Sequence, residues 1–209
     1  MINCLILECT NKKCKFRYPT ETENYSMYCP VCGASVKVLC YEVDNGYTQF
    51  TKKADIKIEC ALDNIRSAYN VGSIFRSGNA FAINHLYLCG FTPTPEQAKV
   101  KKTSLGAEKT IQWSSHPNAL DLTYQKKHDG AQIFAIEVST SAHSLLDCRL
   151  PRTNNNVLFV VGNEIFGIDP EIREFCDEIL QIPILGQKKS LNVATAFSIA
   201  AFYFTFLSI

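Results

Sequence analysis

From residue 56 onward, short apolar runs alternate with segments whose apolar residues recur at helical spacing. The strand-like runs are rich in β-branched and aromatic residues and include IKIECAL, HLYLCG, AQIFAIEV, NVLFVVG and LQIPI. The segments with helical spacing include VGSIFRSGNAFAI and PEIREFCDEI. A repeated order of strand, helix and strand predicts a parallel sheet with helices on both faces, and therefore an α/β fold.

The run VLFVVG, residues 157–162, is apolar without alternation, as expected for a parallel strand that is buried on both faces. Gly162, Asn163 and Glu164 come at its carboxyl end, where such sheets bind ligands. Asp169 and Pro170 then predict the start of a helix. The segment GNEIFG has neither the Lys-Ser/Thr of a P-loop nor the glycine order of a dinucleotide fingerprint, so the pattern indicates neither of those two sites.

The last apolar segment, residues 191–209, is long enough to span a bilayer, but polar residues interrupt it and small residues line it. The polar residues are Asn192, Thr195, Ser198, Thr205 and Ser208, and the small ones are Ala194, Ala196, Ala200 and Ala201. We therefore predict a helix buried in the core or in a dimer interface, and no membrane partner. A tail anchor and an amphipathic surface helix are the alternatives.

The first 40 residues contain a cysteine pattern typical of a zinc ribbon. Cys9 and Cys14 form a C-x4-C pair, and Cys29 and Cys32 form a C-x2-C pair. This spacing lets four thiolates converge on Zn2+, and a segment so short needs the metal because its apolar core is small. Four unrelated buried thiols are the alternative interpretation. Two further cysteines, Cys4 and Cys40, are alternative ligands.

The segment 41–55 is polar, and Asn45-Gly46 within it is a turn signal. We therefore expect a zinc-ribbon-like domain at 1–40, a linker at 41–55 and an α/β domain at 56–209. A chain of 209 residues with 46% hydrophobic content is long enough for one ordinary domain and a small one.

The formal net charge of +1 gives no global field that would mark a nucleic-acid-binding protein, so such a role has to come from local patches. Lysine and arginine cluster at four places, each of which alone is typical of a solvated surface: Lys12, Lys13, Lys15 and Arg17; Lys52 and Lys53; Lys99, Lys101 and Lys102; Lys188 and Lys189. The N-terminus has no charged region before its apolar residues, so no secretory signal is indicated and the expected compartment is the cytoplasm.

Three separated segments together resemble the SpoU (TrmH-like) RNA 2'-O-methyltransferase family of the SPOUT superfamily. They are LDNIRSAYNVGSIFRSGNAFAI at 62–83, LFVVGNEIFGIDPEI at 158–172 and IPILGQKKSLNVATAFSIAAFY at 182–203, and KTSLGAEKTIQW at 102–113 is also similar. The resemblance covers residues 56–209 in order. It implies a SPOUT-type α/β domain with a deep C-terminal trefoil knot, a homodimer, and S-adenosylmethionine bound in the knot.

The resemblance also implies roles for individual residues. The motif residues carried over as catalytic are Arg76, Glu164, Ser190 and Asn192, and Asn70 matches on the substrate side. The positions matching the cofactor site are Gly162, Asn163, Ile182 and Leu191. Where the family usually has a second glycine after the glutamate, this chain has Ile165 and Phe166.

Methylation of a ribose 2'-hydroxyl needs a group that stabilises developing alkoxide charge and a site that holds donor and acceptor in line. A guanidinium stays protonated in proteins, so we assign Arg76 electrostatic stabilisation and positioning of the hydroxyl. Glu164 orients Arg76 or accepts a ribose hydroxyl in this interpretation, and Ser190 and Asn192 offer short polar side chains. The transfer itself requires no metal.

Each of these residues also has a purely structural interpretation. Arg76 is a surface residue of a helix, Glu164 caps the helix that follows it, and Ser190 and Asn192 are N-cap residues. The functional hypothesis is an S-adenosylmethionine-dependent methyltransferase acting on tRNA or rRNA. The alternatives are a non-catalytic dimeric RNA-binding protein on the same scaffold, and methylation of a base or of a non-RNA substrate. The sequence does not indicate the target nucleotide.

Overall fold

The computed structural model describes residues 4–40, 50, 56–150 and 156–207. The chain divides into two compact units, residues 1–50 and residues 51–209. Apart from Phe50, the predicted linker at 41–55 lies outside the described residues.

The first unit is built on a small antiparallel sheet. Its strands are β1 (Cys4–Cys9), β2 (Arg17–Glu21) and β3 (Val36–Cys40), in the order β2-β1-β3, and a 3-10 helix spans Thr22–Asn24. Leu5, Leu7 and Cys9 alternate along β1 and are buried. Because few other apolar side chains of this unit are buried, its core is small, as expected for a segment of this length.

The second unit contains a seven-stranded sheet in the order β6-β5-β4-β9-β7-β10-β8, and every described strand pair in it is parallel. The strands are β4 (Lys57–Asp63), β5 (His85–Cys89), β6 (Gln112–His116), β7 (Gln132–Ile136), β8 (His143–Ser144), β9 (Asn156–Val161) and β10 (Glu178–Gln181). The helices are α1 (Ala68–Ala80), α2 (Ala98–Ser104), α3 (Ala119–His128), α4 (Pro170–Phe175) and α5 (Val193–Phe206), with 3-10 turns at Ala107–Lys109 and Leu145–Asp147. The α/β fold predicted from the alternating pattern is therefore confirmed.

Helices cover both faces of this sheet, as β4 shows. Ile58, Cys60 and Leu62 point to a core shared with α1, α2 and α5. Ala61, which lies between them in the strand, packs in a second core with residues of α3 and α4. Burial of both faces explains why the central strands are apolar without alternation.

The helix predicted over PEIREFCDEI begins where expected but is short. Asp169 caps it, since its side chain accepts a hydrogen bond from the amide N–H of Glu171, and Pro170 is the first helical residue. The helix ends at Phe175 because the chain turns into β10, with Asp177 paired to β7. The Asp177 carboxylate accepts from the amide N–H of Ile133 at 2.7 Å, and the Asp177 amide donates to the Ile133 carbonyl at 2.9 Å.

The last apolar segment forms α5, whose fourteen residues pack against α1, β4, β7 and β9. The rings of Phe197 and Phe204 each contact Phe159 in the centre of the sheet, at centroid distances of 5.5 Å. The prediction of a buried helix is confirmed for this face. Within the residues that the structure describes, no helix combines the length and hydrophobicity needed to cross a membrane.

Gly72 lets α1 approach α2 closely, and we predict that Gly72→Ala destabilises the protein. A Cβ atom there would overlap the side chain of Thr103 and lie 2.5 Å from the carbonyl oxygen of Val100. Alanine in a helix is otherwise favoured over glycine by about 0.5–1 kcal/mol, but overpacking costs about 1–3 kcal/mol, so the net effect is a loss of about 1 kcal/mol or more. Urea denaturation measures it. Ser73→Ala on the same helix is the control, with an expected change of about 0.5 kcal/mol or less.

Candidate functional site

A cavity of about 310 Å³ opens at the carboxyl ends of β7 and β9, a size within the range of small-molecule sites. Its walls come from the end of β7, the turn after β9, the segment after β10 and the first turn of α5. The lining residues are Ile136, Glu137, Val138, Val161, Gly162, Asn163, Glu164, Ile165, Gly167, Ile182, Ile184, Ser190, Leu191, Asn192, Val193 and Ala196. All four residues predicted to bind a cofactor are among them.

The turn after β9 is held closed by Asn163. Backbone hydrogen bonds join Asn163 and Gly167 in both directions, at 3.0 and 2.9 Å. The Asn163 side-chain oxygen accepts from the amide N–H groups of Ile165 and Phe166, and its amide nitrogen donates to the carbonyl of Asn64 at 2.7 Å. Both ends of this side-chain amide are thus engaged inside the protein, so Asn163 shapes the cavity wall.

Two glycines allow this turn to fold back on the strand. A Cβ atom on Gly162 would overlap the backbone of Gly167 and Ile168, and Gly167 itself has a φ of +74°. Non-glycine residues rarely adopt that conformation. Beyond the turn, the Glu137 carboxylate accepts from the Ile168 amide at 3.0 Å and faces Gly167.

Glu137 is a cavity residue that the sequence analysis missed. It follows the apolar run of β7 as Glu164 follows that of β9, and one of its carboxylate oxygens accepts from the amide of Val138 at 3.0 Å. An acid directly after a buried parallel strand was the signal that would have found it.

The Glu164 carboxylate binds the start of α1. It accepts hydrogen bonds from the backbone amides of Arg66 and Ser67, at 2.8 and 3.1 Å, and from the side-chain amide of Asn70 at 2.9 Å. Partial burial opposes ionisation, but the hydrogen bonds from Arg66 and Asn70 outweigh it and lower the pKa of Glu164. Glu164 thus holds the two residues that precede α1, whose N-cap is Ser67, while Asp169 caps the helix that follows.

Asn70 and Asn192 connect Glu164 to the start of α5, in the segment 182–203. The Asn192 side-chain nitrogen donates to the Asn70 side-chain oxygen at 3.1 Å. The Asn192 oxygen caps α5 by accepting from the amides of Ala194 and Thr195, at 2.9 and 3.4 Å. We call the chain of side chains Glu164, Asn70 and Asn192 the polar relay. It joins the N-termini of α1 and α5 to the turn after β9.

Arg76 lies apart from this group. It is exposed on α1, six residues beyond Asn70, which corresponds to about 9 Å along the helix axis. It does not line the cavity, and it makes no ion pair with an acid of the described residues. The structure therefore brings together Asn70, Glu164, Asn192 and Ser190, but within one chain it leaves Arg76 outside.

The four cysteines of the predicted metal site converge in the first unit. The sulfur atoms of Cys9, Cys14, Cys29 and Cys32 all lie within 4.8 Å of one another. The Cys9–Cys32 and Cys14–Cys29 sulfur distances are 3.5 and 3.8 Å. Disulfide sulfurs lie about 2.05 Å apart, whereas a tetrahedral zinc site with bonds of about 2.3 Å has edges of about 3.8 Å.

Backbone N–H groups point at these sulfurs, as they do around bound thiolates. The amide of Asn11 donates to Cys9 and that of Val31 to Cys29, both at 3.4 Å. Burial opposes ionisation of Cys29, but hydrogen bonds from the backbone amides of Val31 and Cys32 lower the pKa of its thiol to about 7. The side chains of the alternative ligands Cys4 and Cys40 lie outside the part of the chain that the structure describes.

The SpoU rRNA Methylase family model matches residues 57–202. The chain is 31% identical over 135 residues to a tRNA (guanosine(18)-2'-O)-methyltransferase of Aquifex aeolicus, covering 64% of this chain and 62% of that protein. It is 27% identical over 135 residues to the 23S rRNA (guanosine-2'-O-)-methyltransferase RlmB of Neisseria meningitidis serogroup B, covering 65% and 52%. The chain thus spans between half and two thirds of the length of these relatives.

A solved structure shares the fold. The crystal structure of an AdoMet-bound rRNA methyltransferase from Sinorhizobium meliloti matches with a TM-score of 0.65 at 24% identity, over 73% of this chain and 56% of that one. At this identity the likeness concerns the fold alone.

The lowered pKa of Glu164 makes the stability of the protein dependent on pH. Its folded pKa lies below its unfolded value, so its stabilisation is complete above the unfolded pKa of about 4.3 and is lost as the pH falls through the folded pKa. We predict that Glu164→Gln lowers stability at pH 7, and that the difference from wild type shrinks steadily below about pH 4. Urea denaturation at several pH values measures this. Glu174→Gln, at an exposed position of α4, is the control, and an equal pH profile for both variants would contradict the assignment.

Proposed function

We propose, because the chain belongs to the SpoU rRNA Methylase family, that it transfers a methyl group from S-adenosylmethionine to a ribose 2'-hydroxyl of tRNA or rRNA. The relatives with this chemistry in their names act on guanosine in tRNA and in 23S rRNA. The choice between tRNA and rRNA stays open.

The observation that carries the proposal is the polar relay beside the cavity. Three segments that are far apart in sequence meet there through Glu164, Asn70 and Asn192, with hydrogen bonds of 2.9 and 3.1 Å. Helix capping alone explains the bonds of Glu164 and Asn192 to backbone amides. It does not explain why the two caps are linked to each other through Asn70 at the mouth of a cavity.

The cavity has the character expected of a site for S-adenosylmethionine. Ile182 and Leu191 supply apolar walls, and Gly162 brings backbone close to the interior. Glu137 supplies a carboxylate with lone pairs that would accept from a hydroxyl or ammonium group of the cofactor. When bound, S-adenosylmethionine supplies an electrophilic methyl group on a sulfonium. Asn163 contributes through the shape of the turn, since its own side chain is fully engaged.

The chain's own residues would act on the ribose, whose 2'-hydroxyl would lose its proton to solvent as its oxygen accepts the methyl group that the cofactor supplies. Arg76 stays protonated and stabilises the developing negative charge on that oxygen. Ser190, exposed at the cavity, offers a short donor or acceptor to the ribose. Glu164 acts by positioning: its oxygens hold the start of the helix that carries Arg76.

We also propose a homodimer. Ile199, Phe202 and Leu207 remain exposed at 37%, 44% and 51% on or just after α5, although the opposite face of that helix is in the core. An exposed apolar stripe of this kind is typical of a subunit interface.

A C-terminal trefoil knot is part of the same proposal. The segment between β10 and α5 passes the carboxyl edge of the sheet before α5 packs back on β4, β7 and β9. The chain between β7 and β9 holds that helix, because Tyr203 donates to the carbonyls of Leu146 and Cys148 and accepts from Arg149.

We propose the domain limits 1–40, 41–55 and 56–209 and a cytoplasmic location, where cysteines stay reduced.

A non-catalytic RNA-binding protein is the second candidate. The position of Arg76 outside the cavity of its own chain favours it, since a scaffold needs no cation at that oxygen. Methylation assays separate the two.

We predict that Arg76→Ala lowers methyl transfer by about 10²–10³-fold while leaving S-adenosylmethionine affinity unchanged, because Arg76 lies outside the cavity and acts on the ribose oxygen in the proposed mechanism. Tritiated methyl incorporation into total RNA measures the rate, and calorimetry measures cofactor binding. Because 2'-O-methylation blocks alkaline cleavage of the adjoining phosphodiester, alkali-resistant labelled dinucleotides distinguish ribose from base methylation. Arg76→Lys is expected to rescue poorly, since a point charge does not reproduce the planar guanidinium.

Lys109→Ala, which removes another exposed cation of the same unit, is the matched control and is expected to keep full activity. Light scattering checks that each variant has the same assembly state as wild type. A folded, fully active Arg76→Ala protein would show that Arg76 is only a surface residue. A wild-type protein that neither binds the cofactor nor labels RNA would overturn the enzyme proposal.

The cysteine cluster is proposed to bind one structural Zn2+ per chain, because its four sulfurs lie within 4.8 Å of one another and two of the pairs are 3.5 and 3.8 Å apart, near the edge of a tetrahedral site. We predict that Cys29→Ser loses the metal and unfolds the first unit, while cofactor affinity stays within about twofold because the cavity lies in the second unit. Elemental analysis of protein purified without chelator measures the metal. Cys176→Ser, outside the cluster, is the control and is expected to keep one zinc. Absence of metal from the wild type would refute the site.

A further inference from the structure

The loop that joins the first two cysteines of the cluster presents three lysines together. The amides of Cys14 and Lys15 both donate to the Asn11 carbonyl at 3.0 Å, and the Lys13 amide donates to the Asn11 side chain at 2.9 Å. This tight turn, which we call the basic knuckle (residues 11–15), exposes Lys12, Lys13 and Lys15. None of the three forms an ion pair with a described acid, whereas Lys37 in the same unit is paired to Glu8 at 2.9 Å.

An aromatic pair follows the basic knuckle directly. The rings of Phe16 and Tyr18 are stacked, with centroids 5.2 Å apart and an interplanar angle of 25°. Tyr18 is half-buried and Phe16 is 39% exposed, so Tyr18 supports one face of a ring that solvent reaches. Because Tyr18 already holds the Phe16 ring in place, little side-chain entropy is lost when a planar group stacks on the ring.

The loop that carries Cys29 and Cys32 adjoins the basic knuckle. The Asn11 side chain reaches the sulfur of Cys32 at 3.9 Å, and the sulfurs of Cys9 and Cys32 are 3.5 Å apart. The two loops are therefore neighbours, and Val31, at the tip of the second, is 64% exposed. Exposed cations, a stacked aromatic pair and an apolar side chain therefore lie on loops that surround one cysteine cluster.

We propose that this surface binds single-stranded RNA, with the lysines on phosphates and Phe16 stacked on a base. Unpaired cations beside an exposed aromatic ring are what a backbone-tracking, base-stacking site requires. The choice of RNA over an acidic protein rests on the proposed function, in which RNA is the substrate of the second unit. The surface would then bind a part of the substrate RNA other than the methylated ribose.

The alternative explanation of the lysines is a structural role in offsetting the charge of a bound metal site. Four thiolates and one Zn2+ carry a net charge of −2, and nearby lysines offset it. That role predicts that their removal weakens zinc retention and leaves RNA affinity unchanged. The two roles therefore give opposite results in a single set of variants.

The test measures binding of the full chain to an unstructured 20-nucleotide RNA of mixed sequence, by fluorescence anisotropy over a range of salt concentrations. The variant Lys12→Gln/Lys13→Gln/Lys15→Gln is expected to weaken binding and to reduce the slope of log K against log salt by about 2, at about 0.7 per lost phosphate contact. Phe16→Ala is expected to lose at least fivefold in affinity with little change of slope, and Phe16→Trp to retain binding.

Lys37→Gln is the matched control, because it removes an exposed lysine of the same unit that is already paired. It is expected to leave both affinity and slope unchanged. Zinc content and circular dichroism are checked for every variant, so that unfolding is not mistaken for lost contact.

The proposal is overturned if the triple variant binds RNA with the wild-type slope, or if Lys37→Gln alone lowers the slope by a third or more of the change in the triple variant. Binding of an acidic protein but not of the 20-mer would also overturn it. The proposed function is judged separately by methyl transfer. An active enzyme with an unchanged slope refutes this inference alone, and an inactive protein with the expected slopes refutes the methyltransferase alone.

Discussion

The carboxylate of Glu164 is the contact on which the geometry of the candidate site depends. It receives three donors from one stretch of chain: two backbone amides at the N-terminus of α1 and the side-chain amide of Asn70. Only an acceptor-only group satisfies all three, and the positive end of the helix dipole favours a charged one. Because Asn70 is thereby oriented with its oxygen outward, it accepts from Asn192, and α5 is placed in turn.

The parallel sheet explains why such distant segments meet. In the strand order, β9 lies between β4 and β7, so the carboxyl ends of all three are adjacent. Acidic side chains at these carboxyl ends bind the backbone that follows the turn after β9. Asp63 accepts from the Asp169 amide and Glu137 from the Ile168 amide, both at 3.0 Å. Burial raises the pKa of Asp63, although the hydrogen bond from the Asp169 amide lowers it. Desolvation is therefore the larger effect on this carboxyl group. The cavity is thus bounded by elements already fixed by the sheet.

Sequence periodicity predicted the central strands because a parallel sheet buried on both faces demands apolar runs. β5, β7 and β9 fall within the predicted segments, and β4 ends one residue beyond its segment. Periodicity overestimated α4, since the helical spacing of PEIREFCDEI does not reveal that Asp177 pairs with β7. The structural alternative for Glu164, a cap on the helix that follows it, also came from local pattern. Its actual partners are 94 to 98 residues away along the chain, and only tertiary structure brings an acid to amides at that separation.

The contact between Glu164 and the start of α1 also affects the orientation of Arg76, although Arg76 contacts no residue of the polar relay. A helix transmits orientation along its length, so fixing the first turn of α1 at Glu164 fixes the direction in which a side chain two turns later points. A second anchor lies next to Arg76, where Ser198 of α5 donates to Ser77 at 2.8 Å. Residue 76 is therefore held between two attachments to α5, one through Asn70 and Asn192 and one through Ser77. Arg76 is thus an exposed cation on a helical segment whose backbone is fixed at both ends.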